Sequence, residues 1–354
     1  MIPPRASVRI SVDFLKFCVE ECPNLNCIML DGYDLREAGA SLIQEIVWPM
    51  VNAIEIADYA VSKGLDPDKF FTHFQIFLSV YNNFFEDIAK FRVVRKMWAT
   101  ILRDRYKVEN STALKLKFGT KTAGSTLTME EPLNNIARVA IQTLAAALGG
   151  VQSQCATSYD EAICLPTEES VKVGIKTNRI VQFETGVTDI ADPLAGSYYF
   201  EWLTDSMTKA AWAELDKIMS MGGYVACIEN GYFEREKANN TYKFQREVDS
   251  GEEVIVGVNR FREEEKVVIP RFHYDEESAR RLKERTRRMK MERDNEKVKQ
   301  ALAKMREAVE SGRFITPTVI EAVKVYCTLG EITQILIDKY GEYKEVPILA
   351  SKLS

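Results

Sequence analysis

The sequence predicts an α/β fold made of parallel β/α units, half of a (β/α)8 barrel, followed by a mostly helical extension. Short apolar or alternating runs recur at even spacing, each followed by a long helical pattern, which is how parallel β/α units read. Each of four such runs gives way to a polar stretch, at 31–37, 80–83, 119–126 and 156–161. In a barrel these loops share the C-terminal face, where ligands bind. After residue 200 the alternation stops. The boundaries drawn from this are 1–200 for the half-barrel and 201–354 for the extension. Four strands leave two open edges and an unclosed core, so such a half is not expected to be stable alone.

Taken in order, Ser7–Glu21 has helical periodicity, with Val8, Val12, Leu15 and Val19 on one side. Asn26–Leu30 is a short buried strand. Ala38–Lys63 is helical and stops at Gly64, with a kink or break expected at Pro49. Asp66-Pro67-Asp68 starts a short helix, Phe74–Val80 is a strand and Asn82–Tyr106 a long helix. Ala113–Phe118 alternates as a third strand, ahead of an Ala-rich helix over Glu131–Leu148. Val151–Cys155 is the fourth strand and Glu168–Glu184 its helix. Trp202–Met221, Tyr224–Asn230 and Arg235–Ser250 have the pattern of surface helices, and Glu253–Val258 that of a lone strand. Arg262–Ser311 is charge-dense, with acids interspersed among its basic residues as on a solvated, salt-bridged helix. Thr316–Tyr326 and Leu329–Tyr340 are the closing helices.

Composition narrows the function classes. Hydrophobic content of 46% supports a real core, and the net charge of −5 with mixed signs argues against nucleic-acid or anionic-membrane binding. No apolar run is long enough to span a membrane, and no signal peptide is evident. Seven cysteines without framework spacing, beside only two histidines, predict reduced thiols in a cytoplasmic protein and no metal site.

The stretch Asp31-Gly32-Tyr33-Asp34-Leu35-Arg36-Glu37-Ala38-Gly39 concentrates the chemistry at the first strand-to-helix junction. By local pattern alone, Arg36 and Glu37 are helix-start charges, and Glu161 is either a ligand or a helix cap. Tyr198-Tyr199 is expected to pack the barrel's base, and Cys155 to be a small residue at a strand end.

Several motifs occur in one order. Pro3-Pro4-Arg5-Ala6-Ser7 precedes GYDLREAGA (32–40), then Asn83-Phe84-Phe85-Glu86-Asp87 and Met97-Trp98-Ala99. Lys121-Thr122-Ala123-Gly124-Ser125 and Glu131-Pro132-Leu133-Asn134 come next, followed by Asp160-Glu161-Ala162, Asp192-Pro193-Leu194-Ala195-Gly196-Ser197 and finally Leu329-Gly330-Glu331-Ile332. This succession resembles the large subunit of the adenosylcobalamin-dependent acyl-CoA mutases, from about residue 2 to the end.

The resemblance implies the second half of a (β/α)8 barrel through which an acyl-CoA threads. It implies a radical carbon-skeleton isomerisation of the methylmalonyl-CoA/succinyl-CoA type or of a related acyl-CoA. Adenosylcobalamin would be bound mainly by a separate subunit, since the family's Asp-x-His-x-x-Gly motif is absent from this sequence. Another chain would supply the first half of the barrel; a split subunit and a shortened chain both fit this reading.

The departures fall at substrate-facing positions. The family's His that bonds the thioester carbonyl is Asp34 here, after Tyr33. In the third loop the family's His and Gln become Gly119 and Lys121. Tyr33, Asp34 and Lys121 are therefore the catalytic candidates, with Asp34 and Lys121 expected to face each other as an ion pair. Glu161, kept from the family, and Thr157 are the cofactor-binding candidates. His73, where the family has an Arg that holds coenzyme A, is a substrate-binding candidate with Gln75 and Gln152. The alternative is a non-catalytic, mutase-like binding or assembly subunit with a degenerate site.

Overall fold

A computed structural model describes residues 2–263 and 269–345. The first helix, α1 (Pro4–Glu21), places proline at its first turn, where a missing N–H breaks no bond, and buries Val12, Leu15 and Cys18. It leads into β1 (Ile28–Asp31). The short α2 (Tyr33–Glu37) and the long α3 (Leu42–Ser62) follow. Next come α4 (Pro67–Phe70), β2 (Phe74–Val80), α5 (Phe84–Tyr106) and α6 (Ser111–Leu114). The alternation closes with β3 (Phe118–Thr122), α7 (Asn134–Leu148), β4 (Ser153–Cys155) and α8 (Glu168–Glu184).

The four strands form one parallel sheet in sequential order, β1-β2-β3-β4. With helices covering one face, this is half of a (β/α)8 barrel. Leu30, Ile76, Leu78 and Phe118 point to the helices and share a core with Val47, Trp48, Phe91 and Val94. The other face, the lumen side, carries Met29, Gln75, Phe77, Gly119, Lys121, Ser153 and Cys155, none of them buried. Register brings Phe77 beside Gly119, Gly119 beside Ser153 and Lys121 beside Cys155.

Several expectations are corrected. The third strand is not Ala113–Phe118. That stretch holds α6, and the strand begins at Phe118, where burial of Phe118, Thr120 and Thr122 matches the register of β2. Lys121 and Gly119 therefore lie in a strand rather than in a loop. Pro49 sits inside an unbroken α3, which starts at Leu42 behind a Ser41–Gln44 capping box. Val256 and Arg260 make only an isolated bridge where a strand was expected.

Beyond the sheet lie α9 (Tyr198–Ser220), α10 (Gly223–Glu229) and α11 (Tyr232–Ser250). All three are more than surface helices, α11 through Tyr232 and Phe233, which pack against Trp48. Phe200, Leu203, Met207, Ala211, Leu215 and Ile218 of α9 belong to the same core as the sheet, as does Cys227 of α10. Tyr198 is 96% exposed, and Tyr199, half exposed, meets Phe85 edge-on and Trp202 at a tilt, so neither packs the barrel's base. The charge-dense stretch contains α12 (Glu276–Glu292) and α13 (Asn295–Ser311), apart from residues 264–268, which lie outside the described residues. With α14 (Thr316–Lys324) and α15 (Leu329–Tyr340), α13 forms a second core around Met305, Val309, Ala322 and Ile335. All seven cysteines are free thiols. No helix among the described residues is long and apolar enough to cross a membrane.

Candidate active site

The site begins where β1 ends. Gly32 allows a close approach: a Cβ there would stand 2.8 Å from Leu78 Cδ2 and 2.9 Å from the Glu45 carbonyl oxygen. That carbonyl is the one Pro49, lacking an N–H, leaves without its helical donor. The turn then delivers Tyr33 into the lumen, its ring 5.6 Å from Phe77.

Behind β2 lies a buried ionic network. Lys90 Nζ bonds Glu45 at 3.0 Å, Asp87 at 2.6 Å and the Ser79 carbonyl at 2.8 Å. Glu45 also accepts from the Ser79 N–H and hydroxyl, both at 2.7 Å, while Asp87 accepts from the Tyr81 N–H at 2.9 Å. Buried charges persist only when paired and hydrogen-bonded, and each member here meets that condition. The network fixes the end of β2 and hence the direction of Tyr81.

Two carboxylates tie the loops above the sheet together. Glu37 accepts from the Ser125 N–H at 2.8 Å, its hydroxyl at 3.0 Å and the Tyr81 hydroxyl at 3.2 Å, joining the loops after β1, β2 and β3. Glu161, from the loop after β4, accepts from Lys121 Nζ at 3.3 Å. Gly124 stands between them, since a Cβ there would meet Glu37 Oε2 at 3.2 Å and Glu161 Cγ at 3.3 Å.

Protonation follows from these contacts. Burial works against the Lys121 ammonium, but the Tyr33 phenol and the Glu161 carboxylate outweigh it and hold the pKa above its ordinary value. Burial, and then Glu37, push the Tyr33 phenol up. Asp31 is also raised, by burial and by the neighbouring Asp34 carboxylate.

The structure gathers Tyr33, Lys121 and Glu161 at the C-terminal mouth. Among the described residues, Lys121 finds its carboxylate in Glu161 and not in Asp34, so the expected Asp34–Lys121 pair does not form. Asp34 is exposed, with its N–H donating to Asp31. Thr157 is buried and its hydroxyl donates to the Thr122 carbonyl at 2.6 Å, a tie between β3 and the fourth loop.

His73, Gln75 and Gln152 lie at the opposite, N-terminal edge of the sheet. His73 Nδ1 is 2.7 Å from the Leu25 carbonyl, and Gln152 bridges the Phe118 N–H and the Leu116 carbonyl. Along β2 the four steps from Gln75 to Ser79, the register partner of Lys121, span about 13 Å at the rise of a β-strand.

Sequence reasoning missed the clamp of Glu37, Tyr81 and Ser125. The available signal was Glu37's place one helical turn after Tyr33. Arg36 lies over the Tyr81 ring at 4.5 Å and donates to the Ala40 carbonyl, and so is also more than a helix-start charge.

Glu161 is a part-exposed acceptor packed against Gly124, where only a residue without a side chain leaves room for both carboxylates. Among the described residues there is no group of three or more His, Cys, Asp or Glu side chains able to hold a metal.

Comparison with known proteins places this geometry in a family. A family model described as methylmalonyl-CoA mutase matches residues 1–342. The chain is 36% identical to a methylmalonyl-CoA mutase of Rhizobium meliloti, over 98% of this chain and 49% of that protein. It is 36% identical to the 2-hydroxyisobutanoyl-CoA mutase large subunit of Aquincola tertiaricarbonis, over 98% of this chain and 62% of that one. Against the human mitochondrial methylmalonyl-CoA mutase the identity is 34%, over 97% and 46%. The chain thus spans about half the length of the curated relatives it matches. It belongs to the methylmalonyl-CoA mutase family.

Proposed function

We propose that this chain is the acyl-CoA-binding half-barrel of a cobalamin-dependent acyl-CoA mutase, active when assembled with polypeptide that completes the barrel and with a cobalamin-binding subunit. The observation that carries the reading is the lumen face. A self-contained barrel fills its interior with bulky branched side chains. Here the lumen side has bulky residues only at Met29 and Phe77; beside them Gln75, Gly119, Ser153 and Cys155 are small or polar and unburied, leading to a cation at the mouth. That is a lining for a linear ligand threaded through the barrel.

In this reading Tyr33 and Lys121 face the acyl thioester, and Lys121 donates to its carbonyl in place of the family's histidine. Asp34 stands beside them at the rim. Glu161 accepts from the sugar of the adenosyl group. Gln75 and Gln152, at the far edge, lie along the path of the coenzyme A moiety, whereas His73, 2% exposed and bonded to the Leu25 carbonyl, braces that edge from inside. When bound, adenosylcobalamin supplies the radical chemistry; this chain orients the acyl group and excludes water.

In this reading the helix count sets what would complete the barrel. The barrel part carries α1, α3, α5, α7 and α8 for four strands. Two copies cannot close a barrel, because α1 of one and α8 of the other would claim the same gap. The complement is four strands with three crossover helices. Apolar surface awaits it on both sides: a groove of about 380 Å³ lined by Ile28, Met29, Ile56 and Tyr224 beside β1, and the exposed Val171 and Ile175 of α8.

A binding-only role is the second reading. It is favoured by the Lys121–Glu161 pair, which occupies the retained acid, and by Asp34, which offers no donor when ionised. The test combines the chain with a polypeptide supplying the first four strands, a cobalamin-binding chain, adenosylcobalamin and a panel of acyl-CoAs. A paramagnetic signal and an isomerised acyl-CoA are expected. Tight acyl-CoA binding without either would establish the binding-only role.

A further inference from the structure

Among the described residues, Lys121 and Glu161 each keep only one charged partner, and that partner is the other. Glu37, on the far flank of Gly124, is engaged by three donors and has little left to offer a ligand. Glu161 has a single donor, at 3.3 Å. Both side chains of the pair are about a quarter exposed, at 27% and 29%, so solvent and ligands reach them. Lys121 projects from the lumen face of β3, beside Cys155 in register and 5.3 Å from the centroid of the Tyr33 ring. An ammonium released from Glu161 would remain in the lumen, where an acyl carbonyl or carboxylate oxygen is the partner on offer.

We propose that Lys121 and Glu161 form an internal latch: each occupies the other in the resting protein, and a sugar hydroxyl arriving at Glu161 frees Lys121 for the acyl group. The inference rests on the reading in which Glu161 takes the nucleoside sugar, and it adds an order to events at the mouth. Nucleoside binding and acyl-CoA binding then help each other, because each pulls apart the contact that opposes the other. A Gln at position 121, as in the family, would leave the carboxylate without an ionic partner and so weaken the latch.

The latch makes nucleoside binding depend on salt in an unusual direction. Added salt screens a part-exposed ion pair, so a latched site binds a neutral nucleoside more tightly as ionic strength rises. The experiment titrates the full chain with 5′-deoxyadenosine at low and moderate salt, by calorimetry or by NMR shift perturbation. Lys121→Gln should bind roughly threefold to tenfold tighter than the parent and lose the salt dependence, in keeping with the modest strength of a part-exposed pair. Lys121→Met serves as a second variant that removes the charge without adding an amide, and thermal melts confirm that both fold.

Glu161→Gln should weaken binding in either background. If it does so while both Lys121 variants bind no tighter than the parent, the latch is overturned and the role of Glu161 stands. If Glu161→Gln binds as the parent does, or none of the proteins binds, the role of Glu161 itself falls, and the latch with it.

Discussion

Glu45 of α3 and Lys90 of α5 meet 3.0 Å apart behind β2, and neither side chain has any exposure to solvent. The pair, with Asp87, sets the end of β2 from which Tyr81 reaches the mouth. Removing the lysine strands two buried carboxylates. Lys90→Met is expected to cost about 3–5 kcal/mol of stability, the usual penalty for breaking a buried pair. Glu45→Gln keeps the two Ser79 bonds but loses the one to Lys90, which retains Asp87, and should cost less. Urea denaturation of the two variants checks the order, and a Lys90→Met loss below about 1 kcal/mol would show that the network contributes little.

One substitution, glycine to alanine, should have opposite signs at two positions. At Gly32 the new methyl would stand 2.9 Å from the Glu45 carbonyl and 2.8 Å from Leu78. A loss of about 1–3 kcal/mol is expected there from overpacking. At Gly330, in the first turn of α15, nothing lies within 4 Å. There alanine should stabilise by roughly 0.4–1 kcal/mol, by narrowing the unfolded ensemble. Melting temperatures of the two variants decide it.

The C-terminal helices carry a pH dependence of known sign. The Arg293 guanidinium, aided by the Thr328 N–H and hydroxyl, holds Glu331 down to about 2, from an ordinary value of 4.5. A depressed carboxyl contributes stability above its unfolded pKa and loses it as pH falls through the folded one. The packing of α13 to α15 should therefore weaken between about pH 4.5 and pH 2. Glu331→Gln should lower stability at pH 7 by about 1–2 kcal/mol, a charge-assisted bidentate contact being lost, and should flatten the acid step. Melts at pH 7, 4 and 2.5 test this, and an unchanged acid step in the variant would assign it to other groups.

The open edges should report on assembly. Amides of β4, an exposed three-residue edge strand, are expected to exchange fastest in the sheet. A polypeptide carrying four strands and three crossover helices should slow exchange in β4 and β1 by at least about tenfold, as edge groups gain ladder partners. Raising the concentration of this chain alone should leave both edges unprotected. Protection by self-association would contradict the helix count.

Much of the fold was legible in the sequence. Phe74–Val80 and Glu168–Glu184 were placed at the boundaries the structure shows, as was Leu329–Tyr340. Strong burial patterns and clear caps, such as Thr167 and Thr328, mark these elements locally. Where signals competed, the reading failed. Ala113–Phe118 alternates well enough for a strand, yet the short α6 has its cap in Asn110, and Leu116 sits in the helix-side core. The α9 face looked like surface because its apolar residues are spaced among charges, and only packing against α3 and α5 shows them to be core.

The candidate site divides in the same way. The order of motifs determined by itself that this chain is a half-barrel of its family, and that Tyr33 and Glu161 stand at its mouth. It did not determine which charges pair. Lys121 has several acids within plausible reach in sequence terms, and Asp34 was the expected partner. The choice of Glu161 follows from β3 beginning at Phe118, which turns Lys121 into the lumen and sets it beside Cys155, below the loop that carries Glu161. Shifting that register by one residue would send Lys121 to the helix side. Strand register is a cooperative property of the whole sheet, so the pairing of Lys121 with Glu161 was decided by the tertiary structure alone.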